Sequence, residues 1–82
     1  MPFSFEIRKP ENMTNTLIYT RQKIINSGGM FSGDEYSGKF SGKGVTGVYT
    51  TDNSSVKITI TKKPALYPVS AVKSVIENYF GV

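Results

Sequence analysis

The sequence predicts an α+β domain: a two-layer sandwich with two helices packed on one face of a single, mostly antiparallel sheet, its elements in the order β-α-β-β-β-β-α. Three observations carry this reading. Two segments, 12–27 and 68–80, confine their apolar residues to helical sectors of about 140°. Segments 3–8 and 56–61 alternate apolar and polar side chains, the period of a half-buried strand. Between them, clusters of Gly, Asp, Asn and Ser punctuate further short strands.

In the first strand Phe3, Phe5 and Ile7 alternate with Ser4, Glu6 and Arg8, and Pro10 ends the run. From Asn12 to Ser27, Met13, Leu17, Ile18, Ile24 and Ile25 form one apolar stripe, with Asn12 or Thr14 as cap and Gly28-Gly29 as the left-handed stop. Arg21 falls near the middle of that stripe, so its aliphatic stem is expected to run over the core edge and carry the charge out. A very short strand near Met30-Phe31 follows, then strands over 36–41, 45–51 and 56–61, joined by the turns "GKG" and "DNS". The expected role of Gly42 and Gly44 is to permit the tight turn, and that of Gly38 and Gly47 to leave room for a neighbour or relieve curvature. After the break at Pro64, Pro68 opens a second helix whose stripe is Val69, Val72, Val75, Ile76, Tyr79 and Phe80, closed by Gly81.

Burying both stripes against the sheet turns its other face to water. That face should carry Ser4, Glu6, Arg8, Ser37, Lys39, Ser41, Thr46, Val48, Thr50, Lys57, Thr59 and Thr61, while Phe3, Phe5, Tyr36 and Phe40 point inward.

At 82 residues the chain is read as one small domain, 1–82, that must fold on packing alone. It contains neither Cys nor His, which removes disulfides, thiolate nucleophiles, the usual zinc ligands and any imidazole base. The N-terminus lacks the continuous apolar core of a secretory signal and no apolar run is long enough to span a bilayer, so a soluble, cytoplasmic protein is expected. Ten Lys and Arg against six Asp and Glu leave a charge of +4, spread in ones and twos.

Two glycine motifs suggest nucleotide chemistry. Residues 42–47, "GKGVTG", match the dinucleotide fingerprint G-x-G-x-x-G, and 33–40, "GDEYSGKF", nearly match a Walker loop. A dinucleotide fingerprint works by feeding a helix whose N-terminal N–H groups face the phosphates. Here the residues after Gly47 read as strand, turn and strand, and Phe40 stands where a Walker loop needs a hydroxyl, so no cofactor is expected. Glu6, Glu11, Asp34, Glu35, Asp52 and Glu77 show no spacing that pairs two carboxylates, and turn chemistry accounts for Asp34. No metal site and no enzymatic activity are expected.

Nucleic acid is the alternative partner. A strand meander followed by "TKKPALYPVSAVKSVIENYF" resembles a double-stranded-RNA-binding domain, with Arg8, Lys39, Lys57, Lys62 and Lys63 as candidate contacts to phosphate. Lys62 and Lys63, however, precede the second helix by several residues, and an extra strand precedes the first.

A wider likeness runs from Phe5 to Phe80. It rests on Gly33-Asp34, Phe40-x-x-x-Gly44-Val45-x-Gly47, Val56-x-Ile58-x-Ile60 and Leu66-x-Pro68-Val69 leading into an amphipathic last helix. In these features and in element order the chain resembles the polyhydroxyalkanoic acid system proteins, small bacterial proteins named for genes near polyester-storage genes. The resemblance implies a non-catalytic binding or scaffold protein associated with polyhydroxyalkanoate granules or their coat proteins. Two departures bear on the partner surface. The first helix lacks the family's Ala and Glu, and Val72-Lys73 stands where the family tends to have Ile-Glu. A monomer or a homodimer paired through the polar face or an edge strand is expected.

Overall fold

The computed structural model describes residues 3–80. The elements follow the predicted order: β1 (Phe3–Arg8), α1 (Met13–Asn26), β2 (Met30–Gly33), β3 (Ser37–Gly42), β4 (Val45–Thr51), β5 (Ser55–Lys62) and α2 (Val69–Phe80). The five strands form one sheet in the order β1-β5-β4-β3-β2, with both helices on one face. Every pairing is antiparallel, so the sheet is entirely and not just mostly so. The reason is the α1 crossover: β1 and β2 run in the same direction, but the helix carries the chain to the opposite edge, so the two never become neighbours.

Local signals set the ends of α1. The Asn12 side chain accepts from the Asn15 N–H at 3.1 Å, capping one of the free donors of the first turn. At the other end Gly28, at φ 86°, donates to the Ile25 carbonyl, and Gly29 donates to that of Ile24. This paired closure of the last carbonyls requires the left-handed residue that glycine supplies. The two-residue loop between β3 and β4 is made by Lys43 at φ 53° and Gly44 at φ 80°, a turn whose twist matches the flanking strands. Gly42 itself does not take a positive φ, which corrects the expected share of the turn.

The buried side of α1 differs from the predicted stripe. Met13, Leu17, Thr20 and Ile24 are buried, whereas Ile18 and Ile25 are 59% and 46% exposed. At 100° per residue the buried set spans only about 60°, centred away from Ile18 and Ile25. Arg21 is consequently exposed rather than lying across the core. Thr20 occupies the helix–helix contact and donates its hydroxyl to the Tyr79 carbonyl at 2.7 Å. Tyr79 lies in the last turn of α2, where carbonyls have no intrahelical donor, so one hydrogen bond satisfies both groups. On α2 the buried residues are Val72, Ile76 and Phe80; Val75 and Tyr79 are half-buried and Val69 is exposed. The expected stop at Gly81 lies outside the described residues.

The sheet contributes Ile7, Phe40, Val45, Tyr49, Val56, Ile58 and Ile60 to the core. Tyr49 is 1% exposed and donates its hydroxyl to the Asp34 carbonyl in the β2–β3 connection. Its ring stacks on Phe31 with centroids 5.8 Å apart and meets the Phe80 ring edge-on at 5.9 Å. Gly38 makes room for it, because a Cβ there would stand 2.6 Å from the Tyr49 ring and 2.7 Å from the Ser32 carbonyl oxygen. Gly47 does the same for Phe40, whose ring would lie 2.6 Å from an added Cβ. Tyr36, expected to point inward, is 70% exposed. It precedes β3 in a turn closed by Asp34, and the Tyr49 ring already fills the core at this end of the sheet.

Two outcomes follow from this packing. Gly38→Ala should cost about 1–3 kcal/mol in urea unfolding, as overpacked sites do, whereas Gly42→Ala, whose nearest contact would be 3.4 Å away, should stay within about 0.5 kcal/mol of wild type. Burial, with the Asp34 charge adding to it, pushes the Tyr49 phenol up to about 12 from 10.0. Between those values the folded chain holds a proton that the unfolded chain has lost, so the contribution of Tyr49 to stability falls as pH rises through pH 10 to 12 and is constant below that range. Urea midpoints measured upward from pH 9 should show this decline, and Tyr49→Phe should flatten it.

Candidate functional site

The uncovered face of the sheet gathers most of the candidate binding residues. Register places Ser4, Thr59, Val48, Lys39 and Ser32 opposite one another in a row across all five strands. Glu6, Lys57, Thr50 and Ser37 form the next row, and Arg8 with Ser55 lies beyond it. In the other direction Thr46 faces both Ser41 and Lys62. The Ser4 and Thr59 hydroxyls lie 3.0 Å apart, so the hydroxyl rows can hydrogen-bond laterally.

Lys62 reaches this face through an irregularity. Val56, Ile58 and Ile60 point into the core, and strict alternation would send residue 62 inward too. A register shift between Thr46 and Gly47 inserts one extra residue in β5 and turns Lys62 to the side of Thr46. Arg8, Lys39, Lys57 and Lys62 are all exposed. At about 4.8 Å per strand, Lys39 and Lys57 are separated by about 10 Å across the sheet.

Lys63 is not part of the face. Its ammonium donates to the Tyr67 carbonyl at 2.8 Å and to that of Pro64 at 3.3 Å, tying together the loop that enters α2. Lys43, which sequence reasoning placed at a hairpin tip but not among the contacts, stands at the same end of the molecule as Lys62. The α1 end at Gly28, the β3–β4 turn and the exit of β5 meet there without any Asp or Glu, whereas Glu11, Asp34, Glu35 and Asp52 occupy connections at the opposite end.

The two aspartates at that acidic end are engaged in turns. Asp34 Oδ1 accepts from the Tyr36 and Ser37 N–H groups at 2.9 and 3.0 Å. Asp52 Oδ1 accepts from Ser54 and Ser55 at 2.9 and 2.8 Å. The bonds from Ser37 and then Tyr36 hold the Asp34 carboxyl below the usual carboxylate value, and those from Ser54 and Ser55 do so for Asp52. Glu35 accepts from the Thr14 hydroxyl at 3.3 Å. Among the described residues no three His, Cys, Asp or Glu side chains gather as a metal set.

The glycine motifs are built differently from a phosphate cradle. Gly44 leads into β4, a strand, so no helix N-terminus stands behind "GKGVTG". An apolar cavity between the helices and the sheet, lined by Ile24, Phe40, Val45, Val72, Ile76 and Tyr79 among others, measures about 30 Å³. That holds one water molecule, far below the roughly 300–1,000 Å³ of small-molecule sites. No described helix is long and apolar enough to cross a membrane.

Fold and face together define a small α+β domain with one sheet surface left bare, rich in hydroxyls and positively charged. Comparison with protein-family models, curated proteins and solved structures finds no match.

The two adjacent lysines should separate cleanly by mutation. Lys63→Met is expected to cost about 0.5–1.5 kcal/mol by removing the hydrogen bonds that close the loop, and to speed amide exchange at Tyr67. Lys62→Met should leave both unchanged.

Proposed function

We propose that this is a non-catalytic binding protein that holds the phosphate backbone of RNA against its open sheet face. The observation that carries this is that Arg8, Lys39, Lys57 and Lys62 are distributed along one surface whose remaining described side chains are mostly hydroxyls, with Glu6 as the single carboxylate among them. Cations separated by one or two strand spacings suit successive phosphates, and Ser and Thr hydroxyls suit phosphate oxygens and ribose 2′-OH groups. Among the described strand residues no aromatic side chain stands on this face, since Phe3, Phe5, Phe31, Phe40 and Tyr49 all pack on the core side. Binding by stacked bases is therefore not its mode, and affinity should depend little on sequence.

A second reading is supported by a different surface. Ile18, Ile25 and Met30 are exposed, and Ile18 and Arg21 flank a shallow groove against Phe31 between α1 and β2. An apolar strip of this kind suits adhesion to a hydrophobic particle or its coat, the polyhydroxyalkanoate setting that the family resemblance implies. A cytoplasmic location is part of both readings.

Titration with a double-stranded RNA distinguishes them. Neutralising four phosphates predicts a slope of about −3.6 in log affinity against log salt, or roughly a hundredfold loss between 50 and 200 mM. Lys39→Glu and Lys57→Glu should each weaken binding, with amide shifts confined to the sheet rows. If no shifts arise at low salt, while polyester particles retain the protein and Ile18→Asp releases it, the second reading takes its place.

A further inference from the structure

β1 is an outer strand, and no described residue pairs with its free edge. Two hydrogen bonds at its end reveal which backbone groups face that edge. Lys9 donates its N–H to the Ser54 carbonyl at 3.1 Å, so Lys9 belongs to a bonded pair. Ser55, opposite Arg8, accepts from the Asp52 N–H at 3.0 Å and so turns its backbone toward β4. Bonded and non-bonded pairs alternate along an antiparallel ladder. The N–H and C=O groups of Phe5 and Ile7 therefore point into the sheet, and those of Ser4, Glu6 and Arg8 point out of it.

A second copy of β1 can add to this edge about a two-fold axis, pairing outward-facing residues with outward-facing residues. Three registers satisfy this, placing Glu6 opposite Ser4, Glu6 or Arg8 of the second copy. Opposition to Ser4 leaves both charges unmatched, and opposition to Glu6 sets like charges face to face, which destabilises a strand pair. With Ile7 on the axis, Glu6 of each copy faces Arg8 of the other, and symmetry makes the pair twice. The same register lays backbone against the flank of the half-buried Phe5.

We propose that the protein forms a homodimer through β1 in this register, joining two five-stranded sheets into one continuous sheet. The charge pattern of β1 is complementary to itself, and the strand offers a six-residue edge without a bulge. β2, the other outer strand, has four residues. By the same alternation, read from the Asp34 N–H bond to the Ser37 carbonyl, only Phe31 and Gly33 face outward there, and neither carries a charge.

Sedimentation equilibrium without nucleic acid tests the proposal independently of RNA binding. The wild type should show a monomer–dimer equilibrium. Glu6→Arg and Arg8→Glu should each weaken dimerisation about tenfold or more, because each sets two like-charge pairs across the axis. The double variant Glu6→Arg/Arg8→Glu restores both pairs with reversed polarity and should recover most of the wild-type affinity. Both positions are exposed, so the circular dichroism spectrum of each variant should match that of the wild type. The double variant also shares with Glu6→Arg the altered neighbour of Lys57, so recovery isolates the intermolecular term. A wild type that stays monomeric at its highest soluble concentration overturns the proposal. So does a dimer that ignores both charge reversals or that Met30→Asp, at an exposed position of the other outer strand, abolishes.

Discussion

The Tyr49 ring, seated over Gly38, is the contact on which both layers depend. It joins four parts of the chain: its own strand, the β2–β3 connection through Asp34, the edge strand through Phe31 and the last helix through Phe80. A residue so large fits only because position 38 has no side chain. Its polar tip is tolerated only because a backbone carbonyl waits for it. The hydrogen bond fixes the β2–β3 connection, which in turn leaves Tyr36 outside. From that seat the ring supplies the surface that receives the end of α2, and Thr20 then ties the same end of α2 to α1.

Much of this was legible in the sequence, and the errors have a common cause. Alternation identified β1 and β5 because one face of each is apolar and the other meets water, whereas β4 was read from the turns that flank it. For α1, hydropathy alone favours Ile18 and Ile25 over Thr20, yet Thr20 is buried and the two isoleucines are not. The orientation of α1 is decided by two partners at once, sheet and α2, and at their junction a short side chain with a donor fits better than a large apolar one. Tyr36 was misplaced for the same kind of reason, since another aromatic had already filled the space. No property of residues 36 or 18 taken singly reveals competition for a site.

The candidate surface shows a similar division. Arg8, Lys39 and Lys57 could be assigned to the open face by counting in twos from the core residues. Lys62 needed the shift opposite Gly47 to reach it, and Lys63, its neighbour with the same chemistry, is withdrawn into a loop by two carbonyls. Identical side chains one position apart thus have unrelated roles, one exposed to partners and the other structural. The concentration of Asp in turns has the opposite effect, because carboxylates occupied by backbone N–H groups are less available to neutralise the lysines. What remains on the sheet is a field of hydroxyls with a net positive sign.

The α1 crossover also sets the order in which the molecule can be assembled as it is made. β1 leaves the ribosome well before its partner β5, and the Ser4–Thr59 contact spans 55 positions of sequence. Until β5 emerges, the first strand carries Phe3, Phe5 and Ile7 with no sheet to cover them. The pairings of the β3–β4–β5 meander are local, joined by short turns, whereas the β1–β5 pairing closes a loop of most of the described chain. A nascent chain of this topology therefore leaves the apolar face of β1 without its sheet partner until β5 is made.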